Sequence, residues 1–185
     1  MSVPSPERLA ALLRAADPLA AARAAGVAPG GEIAWTRGPD PAGWLVDGDD
    51  ERPLAEHRAA HAAGRPSVAA LAYGRGADPA RVAARLHALA LLAAETGLLR
   101  AVCPVPGEGA AGRPGSWGVE DLTVVAVCRL ALPADVRVRP HWRLLGAGAC
   151  QVAAAFGADE WVLPEGSGDE PGHLAEAVGR TAVAR

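Results

Sequence analysis

The chain has 185 residues, a formal net charge of −3 and an apolar content of 50%, and all 18 of its basic residues are arginine. This length is enough for one hydrophobic core, but it falls short of the roughly 250 residues typical of a complete (β/α)8 barrel. The weak negative charge and the small aromatic content of 4% exclude the basic footprint and the stacking platforms of a nucleic-acid-binding protein. No apolar run is long enough to span a bilayer, and charged residues interrupt any leader-like segment in residues 1–25.

Three cysteines, Cys103, Cys128 and Cys150, are spaced 25 and 22 residues apart. An odd number at wide spacing is typical of reduced thiols that pack as small apolar side chains, and not of a disulfide framework. The sequence therefore predicts a cytoplasmic protein.

The N-terminal part, residues 1–52, combines helical and extended sequence patterns. Leucines at helical spacing predict a helix or helix pair over 4–25, with Pro18 as the break. A Gly/Pro connection follows, and then two short strands are predicted at 32–36 and 44–46. An acidic, glycine-containing loop at 47–51 is the predicted boundary to the main body.

From residue 53 onward, apolar strands alternate regularly with helices. Asp78-Pro79 is an N-cap and first-turn pair, and Gly97 is a helix stop, so a helix is expected between them. Near-continuous apolar strands indicate a parallel sheet covered on both faces. The predicted elements are helix 54–63, strand 67–73, helix 78–96, strand 98–105, a loop at 106–118, helix 119–132, strand 136–142, helix 144–156, strand 159–163, a loop at 165–172 and helix 173–179.

Six segments in this body follow one another in the order of a known family. They are EHRAAHAAGRPSVAALAYG (56–74), LHALALLAAETG (86–97), the strand ending CPVP (103–106), VEDLTVVAVCRLAL (119–132), HWRLLGAGACQVAAAFGADE (141–160) and EAVGRTAVAR (176–185). Together they resemble the C-terminal half of the radical S-adenosylmethionine enzymes of the futalosine route to menaquinone, with aminofutalosine synthase the most similar. The resemblance implies an α/β fold: a half TIM-type barrel of about four βα units over 53–185, with a short α+β appendage at 1–52.

The defining motif of that family is missing. A CxxxCxxC loop supplies the three thiolates of its [4Fe–4S] cluster, and this chain has no such loop. Arg75 stands where the family tends to have histidine, and Trp161-Val162-Leu163 replaces a polar run. We therefore expect no cluster and a degenerate, non-catalytic binding or partner protein linked to menaquinone biosynthesis, although residual S-adenosylmethionine or nucleoside binding stays open. The alternative is an enzyme: a subunit that completes a radical site with a partner, or a cluster-free enzyme that reuses the old pocket.

Polar residues at or just past the predicted strand ends form a candidate ligand site, because a barrel gathers such positions on one face. The ligand would be nucleoside-like or an aromatic carboxylate, with Arg75 pairing with an anion and Trp142 as an apolar wall. The competing interpretation is that these residues are inherited and only structural. Trp142 would then lie in the core, His141 would bond to the backbone, and the acidic residues would cap helices or face solvent. The candidate residues are Tyr73, Arg75, His141, Trp142, Asp159 and Glu160.

His57 and His61 are one helical turn apart, which is a metal-ligand spacing, but no third ligand is evident and no metal is expected. A half-barrel also leaves open strand edges and an apolar inner face. Three arrangements would cover them: the N-terminal strands, a second copy of the chain, or a full-length radical S-adenosylmethionine enzyme.

Overall fold

The computed structural model describes residues 3–38, 44–46, 52–74, 76–107 and 118–185. Within them the chain is an α/β protein in which strands and helices alternate from the second strand to the last. No helix in these ranges has both the length and the apolar character needed to cross a bilayer. The helices are α1 (Pro6–Ala15), α2 (Pro18–Ala24), α3 (Arg52–Ala62), α4 (Pro79–Thr96), α5 (Gly118–Ala131), α6 (Trp142–Ala154) and α7 (Pro171–Glu176). The strands are β1 (Glu32–Arg37), β2 (Trp44–Val46), β3 (Ser67–Tyr73), β4 (Leu99–Pro106), β5 (Arg137–Val138), β6 (Glu160–Leu163) and β7 (Thr181–Ala184).

The strands form two parallel sheets, with the spatial orders β2-β3-β4-β5 and β6-β1-β7. The two sheets meet between β5 and β6, where the Asp159 amide donates to the Val138 carbonyl at 3.1 Å. The Val138 amide in turn donates to the Asp159 carboxylate at 2.8 Å. The strands thus follow one another as β2-β3-β4-β5-β6-β1-β7, and they do not close into a barrel within the described ranges.

The helices cover one face of this strand array. Ala69, Leu71 and Val102 pack with apolar residues of α4 and α5 in the larger core cluster. Ile33 and Trp161 pack with α6 and α7 in a second cluster. Because side chains alternate along a strand, the residues between these positions lie on the opposite side, which we call the inner face.

The N-terminal helices pack outside this layer, α1 against α4 and α2 against α5. Ser5 caps α1 by accepting from the Arg8 amide at 3.4 Å, and Asp17 caps α2 by accepting from the Ala20 amide at 2.9 Å. Each helix has proline in its first turn, where the missing amide costs no hydrogen bond. The predicted helix pair with a break at Pro18 is confirmed.

The α/β alternation is confirmed, and three details of the prediction are wrong. The strand expected over 136–142 is only Arg137–Val138, because α6 already begins at Trp142. Helix α6 is interrupted at Gly146, whose φ of 81° lies outside the helical region. Strand β7 was not expected; it pairs with β1, so that β1 lies between β6 and β7.

The first 52 residues contribute to both sheets. Strand β1 pairs with β6, and β2 pairs with β3, each in parallel register. The N-terminal strands therefore cover strand edges that the βα units alone would leave open. The predicted acidic boundary at 47–51 lies outside the described residues, as does most of the loop predicted at 106–118.

Candidate functional site

The inner face has a buried layer of small side chains around one ion pair. Ala70 is in register with Cys103, and Ala34 is in register with Glu160. Arg139 shares the side of Cys103, because it follows by two residues the register partner of Ala101. Ala34, Ala70 and Cys103 are each no more than 4% exposed. The floor of the inner face is therefore an arginine and a glutamate set among small side chains.

The next layer toward the carboxyl ends of the strands is more open. Ala72 pairs with Val105 and Thr36 pairs with Val162, one alternation beyond the buried layer. Ala72, Val105 and Thr36 are partly exposed, whereas Val162 is buried. The inner face thus opens at the carboxyl ends of the strands, which is where parallel α/β sheets bind ligands.

Arg139 and Glu160 form a close, nearly buried ion pair. The Nε and Nη2 groups of Arg139 both donate to Oε2 of Glu160, at 2.9 and 2.6 Å. Their side chains are 10% and 12% exposed. The third guanidinium nitrogen, Nη1, is buried and has no hydrogen-bond partner among the described residues. Such a donor costs free energy unless something accepts from it.

Tyr73, a predicted site residue, lies on the helix-covered face. Its hydroxyl donates to Oδ1 of Asp121 at 2.7 Å, and both side chains are buried. Tyr73 therefore ties the end of β3 to the first turn of α5, away from the inner face. Arg75, predicted to pair with an anion, lies outside the described residues.

His141 and Trp142 stand at the start of α6. His141 is the N-cap residue, and its carbonyl accepts from the amides of Leu144 and Leu145 at 3.2 and 3.0 Å. The His141 side chain is partly exposed. Trp142 is 4% exposed and makes an edge contact with Trp161, with ring centroids 5.8 Å apart. Trp142 is therefore placed as a core residue, which is one of the two roles that the sequence left open, and not as an apolar wall of a ligand site.

Asp159 lies at the opposite end, where β6 begins. Its carboxylate contacts the guanidinium groups of Arg129 and Arg137 at 3.3 and 3.4 Å and accepts from the Val138 amide. Burial raises the pKa of Asp159, and the Val138 amide and the two arginines partly offset this rise. Arg129 also donates to the carbonyls of Val136, Leu132 and Pro133, which follow α5 closely. Asp159 thus belongs to a brace that joins α5, β5 and β6, and only Glu160 of the predicted acidic pair lies at the inner-face floor.

The two histidines with metal-ligand spacing share a serine. His57 Nδ1 and His61 Nε2 lie 2.7 and 2.8 Å from Oγ of Ser67, and all three residues are buried. His61 Nδ1 lies 2.8 Å from Oγ1 of Thr96, whose hydroxyl donates to the Leu92 carbonyl. The Thr96 hydrogen is used there, so a neutral His61 donates from Nδ1 and accepts at Nε2 from Ser67. The pair therefore links α3, β3 and α4 by hydrogen bonds.

The three cysteines lie in different places. Cys103 belongs to the inner face of β4, Cys128 to α5 and Cys150 to α6, and each is fully buried. Burial raises the pKa of the Cys128 thiol to about 12, which disfavours the thiolate that binds metal. Over the ranges that the structure describes, no three His, Cys, Asp or Glu side chains come together as a metal site. These residues do not fit a [4Fe–4S] cluster, which needs three thiolates in one place.

Arg139 is the residue that the sequence prediction missed. The signal was present in the run Val136-Arg137-Val138-Arg139, where valine and arginine alternate with the period of a strand. That alternation assigns both arginines to the face opposite the apolar core. An arginine there, level with Glu160 of the next strand, was a stronger candidate than the residues beyond the strand end.

Comparison with models of known protein families gives no match, and comparison with curated proteins gives none either. The side chains of the inner face and the sequence resemblance therefore bear most directly on function.

Proposed function

We propose that the chain is a degenerate, cluster-less relative of the radical S-adenosylmethionine enzymes of the futalosine route, built as a half TIM-type barrel. It acts as a non-catalytic binding or partner protein linked to menaquinone biosynthesis. The order of four strands each followed by a helix (β3-α4, β4-α5, β5-α6 and β6-α7) supports the half-barrel. The placement of all these helices on one side of a parallel array agrees with such an origin.

One observation carries the binding role: a charged pair, Arg139 and Glu160, lies at the floor of the inner face below a partly exposed layer. The interior of such barrels is usually filled by bulky branched side chains. A buried ion pair is a weak source of stability, because desolvation offsets the attraction between the charges. Polar groups retained at such a floor, below the layer that opens at the carboxyl ends of the strands, are typical of a ligand site.

The non-catalytic role is supported by the cysteines. Cys103, Cys128 and Cys150 are buried on three separate elements, so three thiolates cannot meet at one cluster without refolding. No step of radical chemistry follows from the residues of the inner face.

Anaerobic reconstitution with iron and sulfide tests the proposal directly. We expect neither a [4Fe–4S] absorption band nor cleavage of S-adenosylmethionine by the chain alone, and we expect nucleosides to bind in calorimetry. A cluster band together with cleavage by the isolated chain would overturn the non-catalytic role. Absence of any nucleoside binding would remove the small-molecule part of the proposal.

A second candidate is a subunit that completes a radical enzyme or pairs with another copy of itself. The observation that favours it is the strand order, in which β2 and β7 each pair on one side only within the described ranges. Such edges accept further strands. Mixing the chain with a full-length radical S-adenosylmethionine enzyme distinguishes the candidates, because activity found only in the mixture supports the subunit role. Sedimentation of the chain alone tests the homodimer.

A further inference from the structure

A cleft of about 300 Å³ lies between α5 and α6, among the helices that cover the strand array and away from the inner face. This volume is at the lower end of the range of roughly 300–1,000 Å³ that is typical of small-molecule sites. The lining is apolar apart from one carboxylate. It includes Leu122, Val125, Leu145, Gly148 and Val152, together with Asp121.

The sequence of α6 leaves this space open. The helix is interrupted at Gly146, and one turn of its wall has no side chain because residue 148 is also glycine. A Cβ added at Gly148 would meet no other part of the molecule within 4 Å. Val152, which also lines the cleft, is 43% exposed. A ligand can therefore reach the cleft from solvent.

Asp121 is the only titratable residue in the lining of the cleft, and it is only 8% exposed. Its Oδ1 accepts from the Tyr73 hydroxyl at 2.7 Å. Its Oδ2 makes no hydrogen bond with the described residues and is not fully buried. Tyr73 thus fixes the orientation of the carboxylate and leaves Oδ2 available to a ligand.

The charge of Asp121 is not balanced by a neighbouring cation. Over the part of the chain that the structure describes, no arginine or histidine forms an ion pair with it. The dipole of α5 supplies about half a positive charge at this end of the helix, and Glu120 shares that charge. A carboxylate in apolar surroundings costs free energy unless it is paired. The cleft therefore favours a cation and disfavours an anion.

We propose that the cleft between α5 and α6 binds a small primary amine with an apolar body, whose ammonium group donates to Oδ2 of Asp121. The apolar body packs between Leu122 and Val125 on one side and Leu145 and Val152 on the other. A second copy of the chain cannot supply a lysine ammonium group, because all 18 basic residues are arginine. The site goes beyond the proposed function, since it lies on a different face and takes a different ligand.

Three six-carbon compounds with different head groups test the proposal: hexylamine, hexan-1-ol and hexanoate, which are cationic, neutral and anionic at pH 7. Titration of the ¹⁵N-labelled protein, followed by NMR, gives both the affinity and the location. We expect hexylamine to bind at least about tenfold more tightly than hexan-1-ol, because its hydrogen bond joins two charged groups. Hexanoate should bind more weakly than either. The amide signals of Leu122, Gly148 and Val152 should shift.

Two variants and a control locate the effect. Asp121→Asn keeps an oxygen that accepts from Tyr73 but removes the charge, so it should bind hexylamine no more tightly than hexan-1-ol. Gly148→Leu fills the cleft and should weaken the binding of both compounds by at least about tenfold, because their chains lose apolar contact. Gly172→Leu makes the same change at an exposed glycine of α7 and should leave binding unchanged.

Several results would overturn the proposal. They are equal binding of hexylamine and hexan-1-ol to the unchanged protein, tighter binding of hexanoate, and binding of none of the three compounds. Hexylamine binding that persists undiminished in Gly148→Leu, or shifts confined to inner-face residues such as Ala72 and Val105, would place the site elsewhere and overturn it too. Nucleoside binding at the inner face is measured separately, so failure of this proposal and failure of the proposed function are distinguishable.

Discussion

The hydroxyl of Tyr73 donates to the carboxylate of Asp121 at 2.7 Å, and both groups are buried. This bond joins the last residue of β3 to the first turn of α5, so it determines where the chain leaves the strand. Glu120 and Asp121 also place negative charge at the N-terminus of α5, where the helix dipole favours it. Tyr73, which the sequence predicts at a ligand site, thus connects β3 to α5 on the helix-covered face.

We expect Tyr73→Phe to destabilise the protein by about 1–3 kcal/mol, because the ring stays packed while a buried carboxylate loses its donor. Asp121→Asn is the matched control, since its amide oxygen still accepts from the tyrosine and the loss should be smaller. Urea denaturation measures both. Equal losses in the two variants would show that the hydrogen bond does not determine the effect.

The Arg139–Glu160 pair predicts strong coupling between two substitutions. Arg139→Met alone should cost about 3–5 kcal/mol, because it leaves the carboxylate of Glu160 nearly buried and unpaired. Arg139→Met/Glu160→Leu should recover most of that loss, since two apolar side chains of similar size replace the pair. Denaturant unfolding of both single variants and the double variant gives the coupling free energy. Additive losses would contradict a direct, desolvated contact.

The order of strands and helices could be predicted from the sequence because local signals determine it. Asp78 accepts from the Ala80 amide at 2.9 Å and begins α4, and Gly97 ends it with a φ of 65°. Both residues were identified from their types and spacing alone. The alternation of apolar strands and helices from residue 53 onward is a pattern of the same local kind.

The spatial order of the strands was beyond prediction because it depends on contacts distant in sequence. Nothing near Glu32–Arg37 shows that this strand lies between β6 and β7, which are more than 120 residues away. The pairing of Arg139 with Glu160 was beyond prediction for a related reason, because it depends on the register between β5 and β6. The predicted site draws instead on residues at or just past the strand ends.

His61 predicts loss of stability in mild acid. Burial lowers the pKa of His61, so the folded protein takes up a proton less readily than the unfolded chain. The unfolded chain then binds more protons as the pH falls through about 6.5, and the free energy of unfolding decreases with it. The stabilising effect of the neutral ring is complete above that pH and diminishes below it.

The thermal midpoint, followed from pH 7.5 to pH 5.5, measures this dependence. We expect His61→Gln to flatten the pH profile, because glutamine keeps polar atoms near Ser67 and Thr96 without titrating. His173→Gln, exposed on α7, should keep the profile of the unchanged protein. An unaltered slope in His61→Gln would assign the acid sensitivity to other groups. His57, which shares Ser67 with His61, is the first of these to examine.

Gly157 combines two reasons for having no side chain. Its φ is 109°, a conformation that residues with a Cβ rarely adopt, and an added Cβ would lie 2.8 Å from Cβ of Arg129. A shift of Arg129 would break hydrogen bonds, because its guanidinium donates to the carbonyls that follow α5 and to the carboxylate of Asp159.

We therefore expect Gly157→Ala to cost about 2–6 kcal/mol, the sum of backbone strain and overpacking. Gly64→Ala separates the two contributions, because Gly64 has a φ of 71° but nothing within 4 Å of an added Cβ. That control should cost only about 1–2 kcal/mol, the penalty of a left-handed conformation alone. Chemical denaturation of the two variants measures the difference. If Gly157→Ala lowered the free energy of unfolding no more than Gly64→Ala does, the contact with Arg129 would contribute nothing to stability. The brace of α5, β5 and β6 would then tolerate displacement of Arg129.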